Sequence, residues 1–148
     1  MSLESNCKKK FNTFKLILKH MQITKIQATN MEMTEAIRSY VEEKVMSLAK
    51  LTQNFEPVKC DVEVADESGR HKQGPYFRCE FNCEIPGSML RAEAVHEDLY
   101  AAIDLAKDDL RRQLYRKKEK LGAKQRKGEK MWKKLRNAVP FMHGDDEM

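Results

Sequence analysis

No stretch of this chain is apolar for long enough to cross a membrane as a helix, which sets that class aside. The sequence also lacks a Gly-rich phosphate loop, a GxSxG elbow and an HExxH pair. Three common routes to nucleotide, acyl and zinc chemistry are therefore not signalled. Cysteine is sparse. Cys7, Cys60, Cys79 and Cys83 form no CxxC pair, and their spacing does not read as a secreted disulfide framework. A reducing cytosol is the expected compartment, with no metal and no cofactor. No internal repeat is present. With 148 residues, 41% of them hydrophobic, the chain has room for one compact domain and tails.

Charge, by contrast, is abundant and unevenly spread. The net charge is +5. Between Arg111 and Arg136, 13 Lys and Arg stand against Glu119 and Glu129, a net +11, so the other 122 residues carry −6. A solvated helix face explains mixed charge well and a one-sign excess of this size poorly. A basic segment on a mildly acidic body points to a polyanion as partner. At the other end, Lys8, Lys9 and Lys10 precede Phe11, Phe14, Leu16, Ile17 and Leu18. This faintly resembles a signal peptide, but Lys15 and Lys19 interrupt it and no small-residue cleavage site follows. Residues 1–20 read as a flexible extension, with Met21 a candidate start.

Hydrophobic periodicity orders the middle of the chain. Gln22 to Ala28 predicts a first strand, although its alternation is imperfect. Thr34 suits an N-cap and Glu35 a first helical turn. Ile37, Tyr40, Val41, Val45, Leu48 and Leu51 then form one stripe on a helix of about five turns. Val58, Cys60, Val62 and Val64 alternate with Lys59, Asp61 and Glu63, the pattern of a half-buried strand. Ala65 to Gly74 is a polar loop. Phe77, Cys79, Phe81, Cys83 and Ile85 predict a longer strand, Pro86-Gly87 a turn, and Leu90, Ala92 and Ala94 a last strand hairpinned to it. A second helix starts near Asp98, with Leu99, Ile103, Ala106, Leu110, Leu114 and Leu121 as its buried stripe and Gly122 as its expected end. Met131, Trp132 and Leu135 form a short amphipathic patch beyond it.

The order strand, helix, three strands, helix predicts an α+β fold: β-α-β-β-β-α, a four-stranded sheet with two helices packed on one face. The other face, carrying Lys59, Asp61, Glu63, Arg78, Glu80, Arg91 and Glu93, is expected to stay wet.

Three clusters invite chemistry. Cys79 and Cys83 share a strand face with Phe77 and Phe81, which suits small core residues better than a zinc site short of ligands. His96-Glu97-Asp98 looks catalytic, but Asp98 is simpler as an N-cap, and consecutive residues seldom form one acid–base site. His71 and His143 fall in a loop and a tail. The basic helix end is the strongest signal: Arg111, Arg112, Arg116, Lys117, Lys118 and Lys120, with Arg38, Lys44 and Lys50 on the other helix. The helix dipole accounts for two or three cations near a C-terminus, not for thirteen. Only Tyr115 and Trp132 interleave with them, which argues for backbone and shape reading over base stacking.

Residues 21 to about 121 resemble the ribosome hibernation promoting factor family, also known as ribosome-associated inhibitor or sigma-54 modulation proteins. The matching segments come in order: Gln22-Ile23, then Met33-Thr34-Glu35-Ala36-Ile37-Arg38, then His96-Glu97-Asp98-Leu99-Tyr100-Ala101-Ala102-Ile103-Asp104, then Arg112-Gln113-Leu114 with Arg116, Lys117 and Lys118. The resemblance implies the same β-α-β-β-β-α fold. It also implies a translation-silencing factor, not an enzyme, seated in the decoding channel of the small ribosomal subunit, where it blocks messenger and transfer RNA sites. Its RNA contacts would be Arg38, Lys44, Arg111, Arg112, Arg116, Lys117 and Lys118. His96, Asp98 and Tyr100 would then be structural.

The resemblance divides the chain into an extension (1–20), a ribosome-binding domain (21–121) and a basic tail with an acidic tip at Asp145, Asp146 and Glu147 (122–148). The 27 residues after Leu121 are too few for the long-form dimerisation domain, so ribosome dimerisation would call for a second hibernation factor. Two other readings compete. One is a general double-stranded RNA-binding module without ribosome specificity. The other is a small enzyme built on His96 and Asp98.

Overall fold

The computed structural model describes residues 21–138 apart from 54, 56 and 71–73. The expectations for residues 1–20, the acidic tip, His71 and His143 lie outside the described residues. Strand β1 spans Met21–Thr29, helix α1 Glu35–Ser47 and the short helix α2 Ala49–Thr52. Strands β2 (Val58–Asp66), β3 (Phe77–Ile85) and β4 (Ser88–His96) follow, and helix α3 covers Leu99–Ala138. The four strands lie in the order β1-β2-β3-β4. β1 runs parallel to β2, and the other pairs are antiparallel. The parallel pair follows from α1, which returns the chain to the starting edge before β2 begins. The α+β architecture read from the sequence is the one observed.

The imperfect alternation of β1 has a local cause. Ile23 pairs with Cys60 and Lys25 with Asp61, so Thr24 is an extra residue with no partner of its own. A bulge of this kind shifts the inward phase by one. Met21 and Ile23 face the core before it; Ile26 and Ala28 face the core after it, opposite Val62 and Val64. Beyond the strand, Asn30 takes up a positive φ of 57°, a conformation that Asn tolerates better than most residues. Gly87, at φ 75°, occupies the turn position after Pro86 where only a residue without Cβ sits easily.

One face of the sheet meets α1, α2 and the first part of α3 in a single apolar cluster. Val41, Val45, Leu48, Val62, Phe81, Ile103, Ala106 and Leu110 are all buried within it. Thr34 caps α1 by accepting a hydrogen bond from the Ile37 amide at 3.3 Å. The predicted five-turn helix is interrupted at Leu48, whose amide bonds back to the carbonyl of Val45. That interruption lets Ala49 and Thr52 turn inward as well. The Thr52 hydroxyl is satisfied by donating to the Ala49 carbonyl at 2.8 Å.

Two expectations need correction. Gly122 does not end the second helix, which continues to Ala138. A glycine costs about 1 kcal/mol in a helix interior, and its neighbours Ala123, Lys124, Gln125 and Arg126 are good helix formers that offset it. Leu121, assigned to the buried stripe, is exposed; burial along α3 stops at Leu114. The chain divides between Tyr115 and Arg116 into two units, and the described residues of the second are all helical.

Cys60, Cys79 and Cys83 are fully buried free thiols, as expected of core residues. A hydrogen bond with Cys83, together with burial, pushes the Cys60 thiol up; burial pushes Cys79 up to about 12. Reaction requires the thiolate, so both should be inert in the folded protein. Iodoacetamide at pH 8 should therefore label Cys60 and Cys79 only after denaturation, as read by peptide mass spectrometry. Labelling of either of these two residues in the native protein would contradict this packing. Phe81→Ala, at the centre of the sheet, should cost about 3–5 kcal/mol in urea unfolding.

Candidate nucleic-acid interface

The cations of this protein fall into two populations: those held by carboxylates and those that are not. The first lies mainly on the sheet face away from the helices. Arg78 donates to Glu67 at 3.0 Å, to Glu80 at 2.7 Å and to Glu63 at 3.2 Å. Arg91 bonds Glu80 at 2.8 Å and Glu93 at 3.1 Å. Cross-strand pairing builds this lattice, since β3 sets Glu80 opposite both Glu63 and Glu93. Glu80 was expected on a wet face, yet it is only 7% exposed, because the long arginine side chains cover it. Burial works to raise its carboxyl, but bonds from Asn82, Arg91 and Arg78 outweigh burial and hold it below the usual carboxylate range. Arginines engaged in this way have little left to offer a phosphate.

Lys44 belongs with the engaged group. Its ammonium lies 2.8 Å from Asp104 Oδ1 and 4.7 Å from the centre of the Tyr40 ring. The Tyr40 hydroxyl donates to Asp104 Oδ2 at 2.9 Å, and the Tyr40 and Tyr100 rings meet edge to face at 4.8 Å. This cluster joins α1 to α3. The bond to Asp104 raises the Lys44 pKa. Burial opposes ionisation of Asp104, but Lys44 and Tyr40 together hold its carboxyl low. Helical spacing puts Tyr40 in the apolar stripe and leaves Lys44 among the free cations. Their i,i+4 relation is the available signal that they share a helix face. Spacing alone does not reveal an acid on another helix.

Most of the unengaged population is on the helices, although Lys25 on β1 and Lys59 on β2 are also exposed without an ion pair to a described residue. Arg38, half-buried on α1, and Arg111, exposed on α3, make no side-chain ion pair with a described residue. Arg112 is exposed and, among the described residues, pairs only with its neighbour Asp109 at 3.3 Å. Asp109 also accepts from Gln113, which donates to the Arg91 carbonyl at 2.7 Å and so ties α3 to β4. In the second unit, Arg116, Lys117 and Lys118 begin a helical run of cations that extends to Arg136. None of these forms an ion pair with a described residue, although Lys117 is half-buried and the rest are exposed. An exposed cationic helix with unspent charge suits a polyanion, whose phosphates can pair with cations that no carboxylate here takes up.

The catalytic-looking cluster resolves into a helix start. Asp98 Oδ1 accepts from the Tyr100 amide at 3.0 Å, and the Asp98 amide donates to His96 Nδ1 at 3.0 Å. The Asp98 carbonyl accepts from the Ala102 amide at 2.9 Å, the first bond of the helix. Both His96 and Asp98 are exposed. Together the bonds define a capped turn, which explains why these residues sit where the last strand passes into the helix. Among the described residues, no group of His, Cys, Asp and Glu is placed to hold a metal ion. No described helix is long and apolar enough to cross a membrane.

A family model described as sigma 54 modulation protein / S30EA ribosomal protein matches residues 24–122. A ribosome hibernation promotion factor of Deinococcus radiodurans is 39% identical over 94 residues, which cover 64% of this chain and 48% of that protein. The chain thus spans about half the length of that relative. A ribosome hibernation promoting factor of Azotobacter vinelandii is 38% identical over 100 residues, covering 68% of this chain and 85% of the relative. The crystal structure of the Thermus thermophilus Protein Y N-terminal domain is similar in fold, with a TM-score of 0.52 at 38% identity. That match covers 64% of this chain and 96% of the other.

The Glu80 lattice should be visible in acid. Its folded-state carboxyl titrates below the unfolded value of about 4.3, so its contribution is present at neutral pH. That contribution disappears as pH falls through the unfolded value towards the folded one. Glu80→Gln should lower stability at pH 7 by about 1–3 kcal/mol. It should also flatten the decline below about pH 5, measured by urea unfolding across pH. An unchanged acid slope would show that Glu80 is not a source of it.

Proposed function

The chain belongs to the sigma 54 modulation protein / S30EA ribosomal protein family, and from that premise we propose that it binds the small ribosomal subunit through ribosomal RNA and silences translation by occupying the decoding channel. Residues 21–121 are the ribosome-binding domain in this reading. The observation that carries it is the split between engaged and unengaged cations. The sheet arginines are taken up by carboxylates, while Arg111 and the cations from Arg116 onward are held by none of the described residues. Relatives named ribosome hibernation factors, 38–39% identical over the same segment, support the choice of the ribosome over RNA in general. Block by occupancy needs no catalytic group, which agrees with a His96–Asp98 pair spent on capping a helix.

Within the proposed RNA-binding set the residues have different duties. Arg38, Arg111, Arg112, Arg116, Lys117 and Lys118 meet phosphates. Lys44 contributes mainly by holding α1 to α3 through Asp104, and touches RNA only at the cost of that bond.

Pelleting with purified small subunits over a range of salt tests this reading. Arg112→Ala, Arg116→Ala and Lys118→Ala combined should weaken binding at low salt. The salt slope should fall by about 0.9 for each phosphate that is no longer neutralised. Inhibition of translation in a cell-free system should fall in parallel, with the fold intact by circular dichroism. Parent-like binding by the folded triple variant would defeat the assignment. Binding abolished by excess unrelated double-stranded RNA would favour a general RNA-binding module. Lys44→Ala should separate from these, lowering thermal stability more than salt slope.

A further inference from the structure

The two edges of the sheet are built differently. Among the described residues, β1 and β4 each have a neighbouring strand on one side only. β1 carries the bulge at Thr24 and the exposed Lys25, two features that discourage a further strand from pairing. β4 has neither. It pairs with β3 without a shift of register and includes no Pro and no Lys. Ile85 and Ser88 close a two-residue turn, so the bonded pairs of the hairpin recur at Leu90, Ala92 and Ala94. The amides and carbonyls of Met89, Arg91, Glu93 and Val95 therefore point away from β3. The bond from Gln113 to the Arg91 carbonyl lies on this open side, and a carbonyl oxygen has a second lone pair with which to accept another donor.

The side chains along this edge are ordered to meet a copy of themselves. On the face away from the helices β4 reads Met89, Arg91, Glu93, Val95. Met89 is 69% and Val95 43% exposed, so both apolar groups lack cover. A second β4 laid antiparallel and centred on Ala92 sets Arg91 opposite Glu93 and Met89 opposite Val95, twice each by symmetry. Centring on Arg91 sets arginine against arginine, and centring on Glu93 sets glutamate against glutamate; like charges directly opposite are unfavourable. Charge thus selects one register. Arg91 reaches both Glu80 and Glu93 through Nη2, so among the described residues its Nη1 and Nε are left to meet a third carboxylate. A polyanion does not fit here, because the arginines of this face are already engaged by acids.

We propose that two copies of this chain associate edge to edge through β4, antiparallel and centred on Ala92, so that two four-stranded sheets become one. Backbone bonds from Met89, Arg91, Glu93 and Val95 hold the strands together, and the Arg91–Glu93 and Met89–Val95 pairs fix the register. A contact one strand wide is small beside a stable interface, so monomer and dimer exchange with concentration. The pairing goes beyond the RNA reading and does not depend on it.

Sedimentation of the full-length protein in reducing buffer, across a wide range of concentration, tests the pairing. The weight-average mass should rise from that of one chain towards that of two. Glu93→Arg sets arginine against arginine and should stay monomeric where the parent is dimeric. Arg91→Glu should do the same. An equal mixture of these two variants should associate again, because each supplies the charge that the other lacks. Val95→Pro removes an amide of the open edge, leaves the hairpin bonds in place and keeps both charges. It should also stay monomeric, and it keeps the test decisive if Arg91→Glu, beside Glu80, fails to fold. Circular dichroism checks the fold of each variant. A parent that remains monomeric throughout the range overturns the proposal. So does parent-like association of folded Glu93→Arg or folded Val95→Pro, since either result takes the contact away from this edge and register.

Discussion

Helices α1 and α3 can share one side of a four-stranded sheet because the residues between them are matched in size and chemistry. Ala102 and Ala106 are fully buried on α3 and leave room for the branched side chains of Val41 and Val45 on α1. Beneath them Val62 and Phe81 present the floor. Each helix alone has an apolar stripe that water would penalise, and both stripes are covered in one cluster with the inner face of the sheet. The polar seam above this packing, Tyr40 and Lys44 to Asp104, then has fixed geometry in which to form. Burial of Leu110 and Leu114 in this packing leaves Arg111 and Arg112 on the exposed side of α3.

The same packing divides the charges. Residues on the sheet face away from the helices are set at the spacing of paired strands, close enough for acids and arginines to satisfy one another. On α3 the acids are concentrated in the early turns and the cations follow, so the later cations outnumber any local partner. Net charge alone would treat Arg78 and Arg111 as equivalent. Their surroundings make one a structural tie and the other an available site. Affinity for a polyanion depends on the second kind, because a phosphate that must first break a carboxylate pair gains little.

Most of the fold is legible in the chain because alternation at period two and recurrence near 3.6 survive wherever one face is buried. Val58 to Val64 and Phe77 to Ile85 show this plainly. β1 is harder to read, since the bulge at Thr24 reverses the inward phase halfway along the strand. The end of the second helix is obscured for another reason. Gly122 looks like a stop, but a helix ends at glycine only when the chain gains something by leaving it, and nothing in Ala123 to Arg126 favours leaving. Spacing also assigns Leu121 to the core, and spacing carries no information about where the covering surface stops.

The sequence by itself determined the element types, the inward sides of β2, β3 and β4, the capping roles of Thr34 and Asp98, and the concentration of positive charge after Leu110. These are local properties, set by nearest neighbours and by period. Which cations remain free was decided only by the tertiary structure. Lys44 and Asp104 lie far apart in the chain yet meet, Glu80 is buried by arginines from its own and a neighbouring strand, and Arg111 is left without an ion-pair partner among the described residues. Coulombic pairing depends on distance in space, and a one-dimensional pattern contains that distance only after the chain has folded.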